Sequence, residues 1–177
     1  VKVQLHDQAP GKPLPPRIEI DLAKASLDDV LPGWEKPAGR PGKVAFKWVP
    51  EDGTVLLDEF SLDAAGGVAA KGSIRLADDG GFLAARLAPF RLSPGDDLRV
   101  EAEKAASGTL RLAVRGAAFD ARPLLRTVVS PQGSSGASGD LDLDLDQKVS
   151  TVTGQNGEVL SGAELKFSIK GGEVRDF

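Results

Sequence analysis

Cysteine is absent from the 177 residues, which removes a disulfide scaffold, a cysteine nucleophile and thiolate metal sites together. Histidine occurs once, at His6, inside an apolar–polar alternation rather than beside a nucleophile, and it reads as a surface residue. No G-x-S-x-G elbow is present to complete a serine triad with it. Phosphate-cradling loops of the G-x-x-x-x-G-K-[ST] and G-x-G-x-x-G types are missing as well. The net charge is −4 and the two signs are interspersed, so no basic stripe exists to meet nucleic acid. No apolar run approaches the roughly 20 residues that span a bilayer as a helix. Methionine is lacking altogether, and the chain stops in mid-pattern at "GGEVRDF". It therefore reads as a segment excised from a longer protein, 1–177 forming one unit. Sub-units 1–130 and 139–177, joined by a Gly/Ser loop at 131–138, are an allowed division of it.

What is present is alternation with a period of two. "PRIEIDLA" sets Ile18, Ile20 and Leu22 against Arg17, Glu19 and Asp21. "GVAAKGSIRLA" does the same with Val68, Ala70, Ile74 and Leu76, and "DLRVEAEK" with Leu98 and Val100. "GTLRLAVRG" contributes Leu110, Leu112 and Val114, and "GAELKFSIKGG" contributes Leu165, Phe167 and Ile169. The runs are separated by strand-ending turn sequences such as "PEDGT", "ADDGG", "SPGDD" and "GQNGE". About nine or ten strands are predicted, mostly antiparallel because most connectors are too short for crossovers. Helix is confined to two short stretches. "SLDDVLPGW" predicts a turn or two from Ser26, and "DARPLLRTVVSP" a helix over 120–130 capped by Asp120.

"SGDLDLDLDQ" alternates Asp140, Asp142, Asp144 and Asp146 with Leu141, Leu143 and Leu145. A calcium loop starting at Asp140 needs Gly at its sixth place and Glu at its twelfth, where Leu145 and Thr151 stand. On a strand the four carboxylates project in parallel, about 6.6 Å apart, and do not converge on one ion. The aspartates read as the wet side of a wall. Acidic pairs such as Asp78–Asp79 and Asp96–Asp97 sit beside glycines and read as turn chemistry, so no metal, cofactor or catalytic residue is expected.

Strand after strand then carries one clean apolar face, and each face needs cover. A second sheet, closure into a barrel, or a non-protein occupant such as lipid would supply it. Periodicity alone leaves these three open.

The stretch "GFLAARLAPFRLSPGDDLRVEAEKAASGTLRLAVRGAAFDARPLL", residues 81–125, resembles the AsmA-like C-terminal regions of large bacterial envelope proteins. These form the YhdP-type branch of the AsmA/TamB superfamily. The likeness rests on "LSPGDDLRV" and on a strand ending in Arg115-Gly116 followed by Asp120, Arg122 and Pro123. "DLDLDLDQKVSTVTGQNGEVLSGAELKFSIKGGEV" looks like the next unit of the same kind. The resemblance implies a mainly β, antiparallel, strongly curved amphipathic sheet forming a groove or partly open barrel with one or two short helices. It implies a non-enzymatic segment of a periplasm-spanning protein, anchored in the inner membrane, that conducts phospholipid toward the outer membrane. The expected partners are phospholipid or another acyl-chain lipid, the rest of the same chain and the two membranes. The expected lining is Val68, Ile74, Leu76, Leu98, Val100, Leu110, Leu112, Val114, Leu141, Leu143, Leu145, Leu165, Phe167 and Ile169. Arg115, Gly116, Asp120, Arg122 and Pro123 are expected to be structural. The alternative is an interaction module whose apolar faces are simply its core.

Overall fold

A computed structural model of the protein describes residues 2–6, 15–31, 34–123, 142–171 and 173–176. The first strands are β1 (Lys2–His6), β2 (Arg17–Asp21), β3 (Leu27–Leu31), β4 (Trp34–Lys36), β5 (Gly42–Glu51) and β6 (Thr54–Ala64). There follow β7 (Val68–Ala77), β8 (Phe82–Arg91), β9 (Asp97–Lys104) and β10 (Leu110–Asp120). The chain ends in β11 (Leu143–Thr153), β12 (Val159–Lys170) and β13 (Glu173–Asp176). Eleven strands form one sheet in the order β1-β2-β5-β6-β7-β8-β9-β10-β11-β12-β13, and β3 and β4 pair separately. The edge strands β1 and β13 do not meet, so the sheet is open. Every neighbour is antiparallel except β10 and β11, which run parallel from Leu110↔Leu143 to Asp120↔Thr153. The fold is mainly β, one large and mostly antiparallel amphipathic sheet.

Two strands, β6 and β8, are the least regular in sequence. Each is broken by an extra residue that throws the alternation out of step. In β6 the ladder to β7 jumps from Leu57↔Ile74 to Phe60↔Gly72, and Glu59 between them has φ 48°. In β8 the jump lies between Leu87 and Phe90, where Ala88–Pro89 is cis. Leu57 and Phe60 thereby share a face, as do Leu87 and Phe90. A third break is shared by neighbours. Ala117, Ser150 and Gly162 have no ladder partners in β10, β11 and β12. Asp142 and Thr153, of opposite parity, both offer carbonyls toward β10, accepting from Leu110 and Ala121. The alternation therefore switches once within β11.

The helix expected over "SLDDVLPGW" is not formed. β3 and β4 make a hairpin there, with Leu27↔Lys36 and Leu31↔Trp34 in register. The burial of Trp34 and Lys36 about an exposed Glu35 follows a period of two, not 3.6. Trp34 packs with Ala64 and Val68, flanked by Leu27, Leu62 and Leu92. Lys36 is only 1% exposed, and its ammonium donates to the carbonyls of Leu22 (2.6 Å), Ala25 (2.9 Å) and Pro37 (3.4 Å). A Cβ on Gly42 would lie 2.7 Å from the Lys36 Cε, so a glycine makes room for the lysine stem. Of the helix expected over 120–130, Arg122 and Pro123 take helical geometry, and 124–130 lie outside the described residues.

Candidate functional site

Cross-strand register places the apolar residues in rows that cross the sheet. One row runs Trp48–Leu57–Ile74–Ala85–Ala102–Leu112–Leu145–Phe167, from β5 to β12 without a gap. Beside it lies Phe60–Gly72–Leu87–Val100–Val114–Gln147–Leu165. A third row runs from Leu62 through Ala70, Phe90, Leu98 and Gly116 to Val149. Toward the far strand ends, Leu110, Leu143 and Ile169 continue the surface. No charged side chain enters the first three rows.

The expected lining residues fall on this one face, Val68 and Leu76 included, and only Leu141 lies outside the described residues. Val68, Leu98 and Val100 are buried, while Ile74, Leu76, Leu110, Leu112, Val114, Leu143, Leu145, Phe167 and Ile169 are half-buried. Leu165 is exposed at 43%. Sequence reasoning missed Leu57, Phe60, Leu87 and Phe90, because the breaks in β6 and β8 hide them from a fixed period. Trp48, 38% exposed, stands at the near end of the first row.

The opposite face is polar and internally satisfied. Asp142 accepts from the backbone N–H of Gly171 (2.9 Å) and Asp144 from the Ser168 hydroxyl (2.7 Å). Asp146 pairs with Arg115 (2.9 Å) and Lys166 (3.6 Å). The Arg115 hydrogen bond, aided by Lys166, holds the Asp146 carboxyl below its ordinary value. Lys43 does the same for Glu19, and backbone N–H groups do it for Glu158. Three of the four alternating aspartates thus serve the protein's own donors, and Asp140 lies outside the described residues. Among the described residues no three acidic or histidine side chains gather as a metal site.

A concavity of about 880 Å³ touches seven consecutive strands, β6 to β12, and residues of both parities line it, Ala85, Ala102, Leu112, Leu145 and Phe167 of the first apolar row among them. Arg75, Arg86, Glu101, Arg111, Asp144 and Lys166 border it. Cations and carboxylates alternate across the strands there, for Arg86 opposes Glu101, and Arg111 stands between Glu103 and Asp144. Mixed charge of this kind presents no strong field of one sign to a ligand.

The residues of the "RG…DAR" pattern have structural surroundings. Arg115 donates to the carbonyls of Val114 (3.0 Å) and Asp146 (2.6 Å), bracing the parallel joint. A Cβ on Gly116 would lie 2.2 Å from the Asp97 carbonyl oxygen. Asp120 accepts from the Arg122 backbone N–H (3.1 Å) and from its guanidinium at 2.8 and 2.7 Å, and Pro123 follows in helical geometry. Asp96 of "SPGDD" is the group that sequence reasoning undervalued. It is buried, and its carboxylate accepts the backbone N–H groups of Leu92 (2.9 Å), Ser93 (2.8 Å) and Asp120 (2.7 Å). One side chain thereby ties the β8–β9 turn to the end of β10. Set against known protein families, curated proteins and solved structures, the chain matches none of them.

Proposed function

We propose that the protein is a lipid-binding, lipid-conducting segment of a periplasm-spanning envelope protein, its apolar face serving as the track for acyl chains. The observation that carries this reading is the row from Trp48 to Phe167, apolar at every position across eight strands of an open sheet. The resemblance of residues 81–125 to AsmA-like regions supports the same assignment. The physical basis is partition. An acyl chain leaving water for such a surface gains roughly 0.8 kcal/mol per buried CH₂. The first row, apolar at every position, holds no position much more tightly than the next, so a bound chain can slide along it. Chemistry on the lipid is no part of the proposal, and the protein acts as a conduit rather than an enzyme.

The test is retention of a fluorescent phospholipid by the purified chain, beside its Leu143→Arg variant. Leu143 is half-buried near the strand ends, where a long cationic side chain can reach water past its apolar neighbours. Retention by the parent, and reduced retention by a variant with near-parental melting, is the expected outcome. A parent that retains no lipid, with a variant that fails to fold, would leave the apolar face as an ordinary core.

A further inference from the structure

Apolar burial is uneven along the strands. On β7, Val68 and Ala70 are each 2% exposed, while Ile74 and Leu76, nearer the other end of the same face, are only half-buried. The difference follows the β3–β4 hairpin, whose Trp34 packs on Ala64 and Val68. The hairpin lies at the strand ends marked by Leu22, Gly42, Ala64 and Val68. It is anchored there twice, by Trp34 in the apolar cluster and by Lys36 on three carbonyls. Among the described residues the Lys36 ammonium is held by those three carbonyls, a set of directed ion–dipole hydrogen bonds that fix where the hairpin sits. At the opposite ends of β6 and β7, Val55 and Leu76 stay half-buried.

We propose that the β3–β4 hairpin is a fixed stop on the apolar face. Acyl chains enter from the rim formed by the opposite strand ends and halt with their terminal methyls against Trp34. Trp34 is thereby the residue that limits how far a chain reaches, and Lys36 positions it. The inference rests on the acyl-chain reading above and adds an orientation to it: methyl ends toward the hairpin, polar heads toward the opposite rim.

The two tryptophans are the only ones in the chain, and they stand at different places on the same face. That permits a test that separates this inference from its premise. Phosphatidylcholine brominated near the terminal methyl, or instead near the ester, is bound to the Trp48→Phe protein, in which Trp34 alone emits. Methyl-end bromines are expected to remove most of the Trp34 emission and ester-proximal bromines little of it. Adding Lys36→Met, which keeps the aliphatic stem but loses the three hydrogen bonds, is expected to erase that contrast as the stop loosens. Equal quenching by both lipids in the Trp48→Phe protein would overturn the stop. So would an undimmed Trp34 when the Trp34→Phe protein shows quenching at Trp48, since lipid would then bind without reaching the hairpin. Quenching of neither tryptophan would overturn the acyl-chain reading itself. A contrast that survives Lys36→Met would remove Lys36 from its positioning role.

Discussion

Asp96 shows how much one side chain can decide. Replacing it with alanine strands three backbone donors near the β8–β9 turn and the end of β10. Hydrogen bonds to a charged acceptor contribute about 1.5–3 kcal/mol each and are not additive, so Asp96→Ala is expected to lower stability by about 3 kcal/mol or more. The urea midpoint measures it, and a shift under about 1 kcal/mol would refute the role. Acid sensitivity is a second residue-level consequence. Glu19, Asp146 and Glu158 all have carboxyls held below their ordinary values of 4.5, 3.8 and 4.5. Their folded state binds protons less readily than the unfolded chain, so the stability they contribute is fully present above those ordinary values. It is lost as pH falls through the lower folded ones. Arg115→Met removes the main cause of the Asp146 shift, and carbon-detected titration should then find that carboxyl closer to its ordinary value. Little of this was legible beforehand. "SPGDD" announced a turn, but nothing in its spelling said that the first aspartate reaches the far end of β10. Lys36 was equally silent, because a lysine in a polar stretch normally lies in water.

Among the elements, regular strands were readable and irregular ones were not. β7 and β9 keep their alternation, as does β10 up to Gly116, and their apolar residues could be named from the sequence. β6 and β8 bury residues of both parities on one face, so a period-two reading passes over them. Ser26 spells a helix start before the β3–β4 hairpin, whereas burial of Trp34 and Lys36 decides for strand. Close approach between ladders explains the glycines that matter most. A Cβ on Gly72, at φ 149°, would fall 1.9 Å from the Arg86 carbonyl oxygen, inside any contact distance. Gly72→Ala must therefore part β7 from β8 locally, with an expected cost of about 3 kcal/mol or more. Gly95→Ala, in a turn with nothing within 4 Å of the added atom, should stay within about 0.5 kcal/mol of the parent. Thermal melts of the pair would sink this reading if the two variants proved alike.

At the scale of the whole molecule, an open sheet with one apolar face poses the question that the lipid proposal answers. The register carried that face further than the alternation could, joining Trp48 to Phe167 through residues that no single strand reveals. The expected Leu143→Arg outcome belongs here, because it asks whether the face is a surface or an interior. The parallel joint has a separate consequence, in time rather than in space. β9 and β10 are linked by residues 105–109, but β10 and β11 by residues 121–142, and Leu110 must find Leu143. Closing the longer loop costs about 1 kcal/mol more in chain entropy before any ladder bond repays it. Antiparallel neighbours joined by short turns can zip from their turns, whereas this joint has to be found by search. Refolding followed by pulsed amide exchange should accordingly protect β6–β9 before the β10–β11 ladder. The protein would be assembled, in order of events, as a run of hairpins to which β11–β13 are added last.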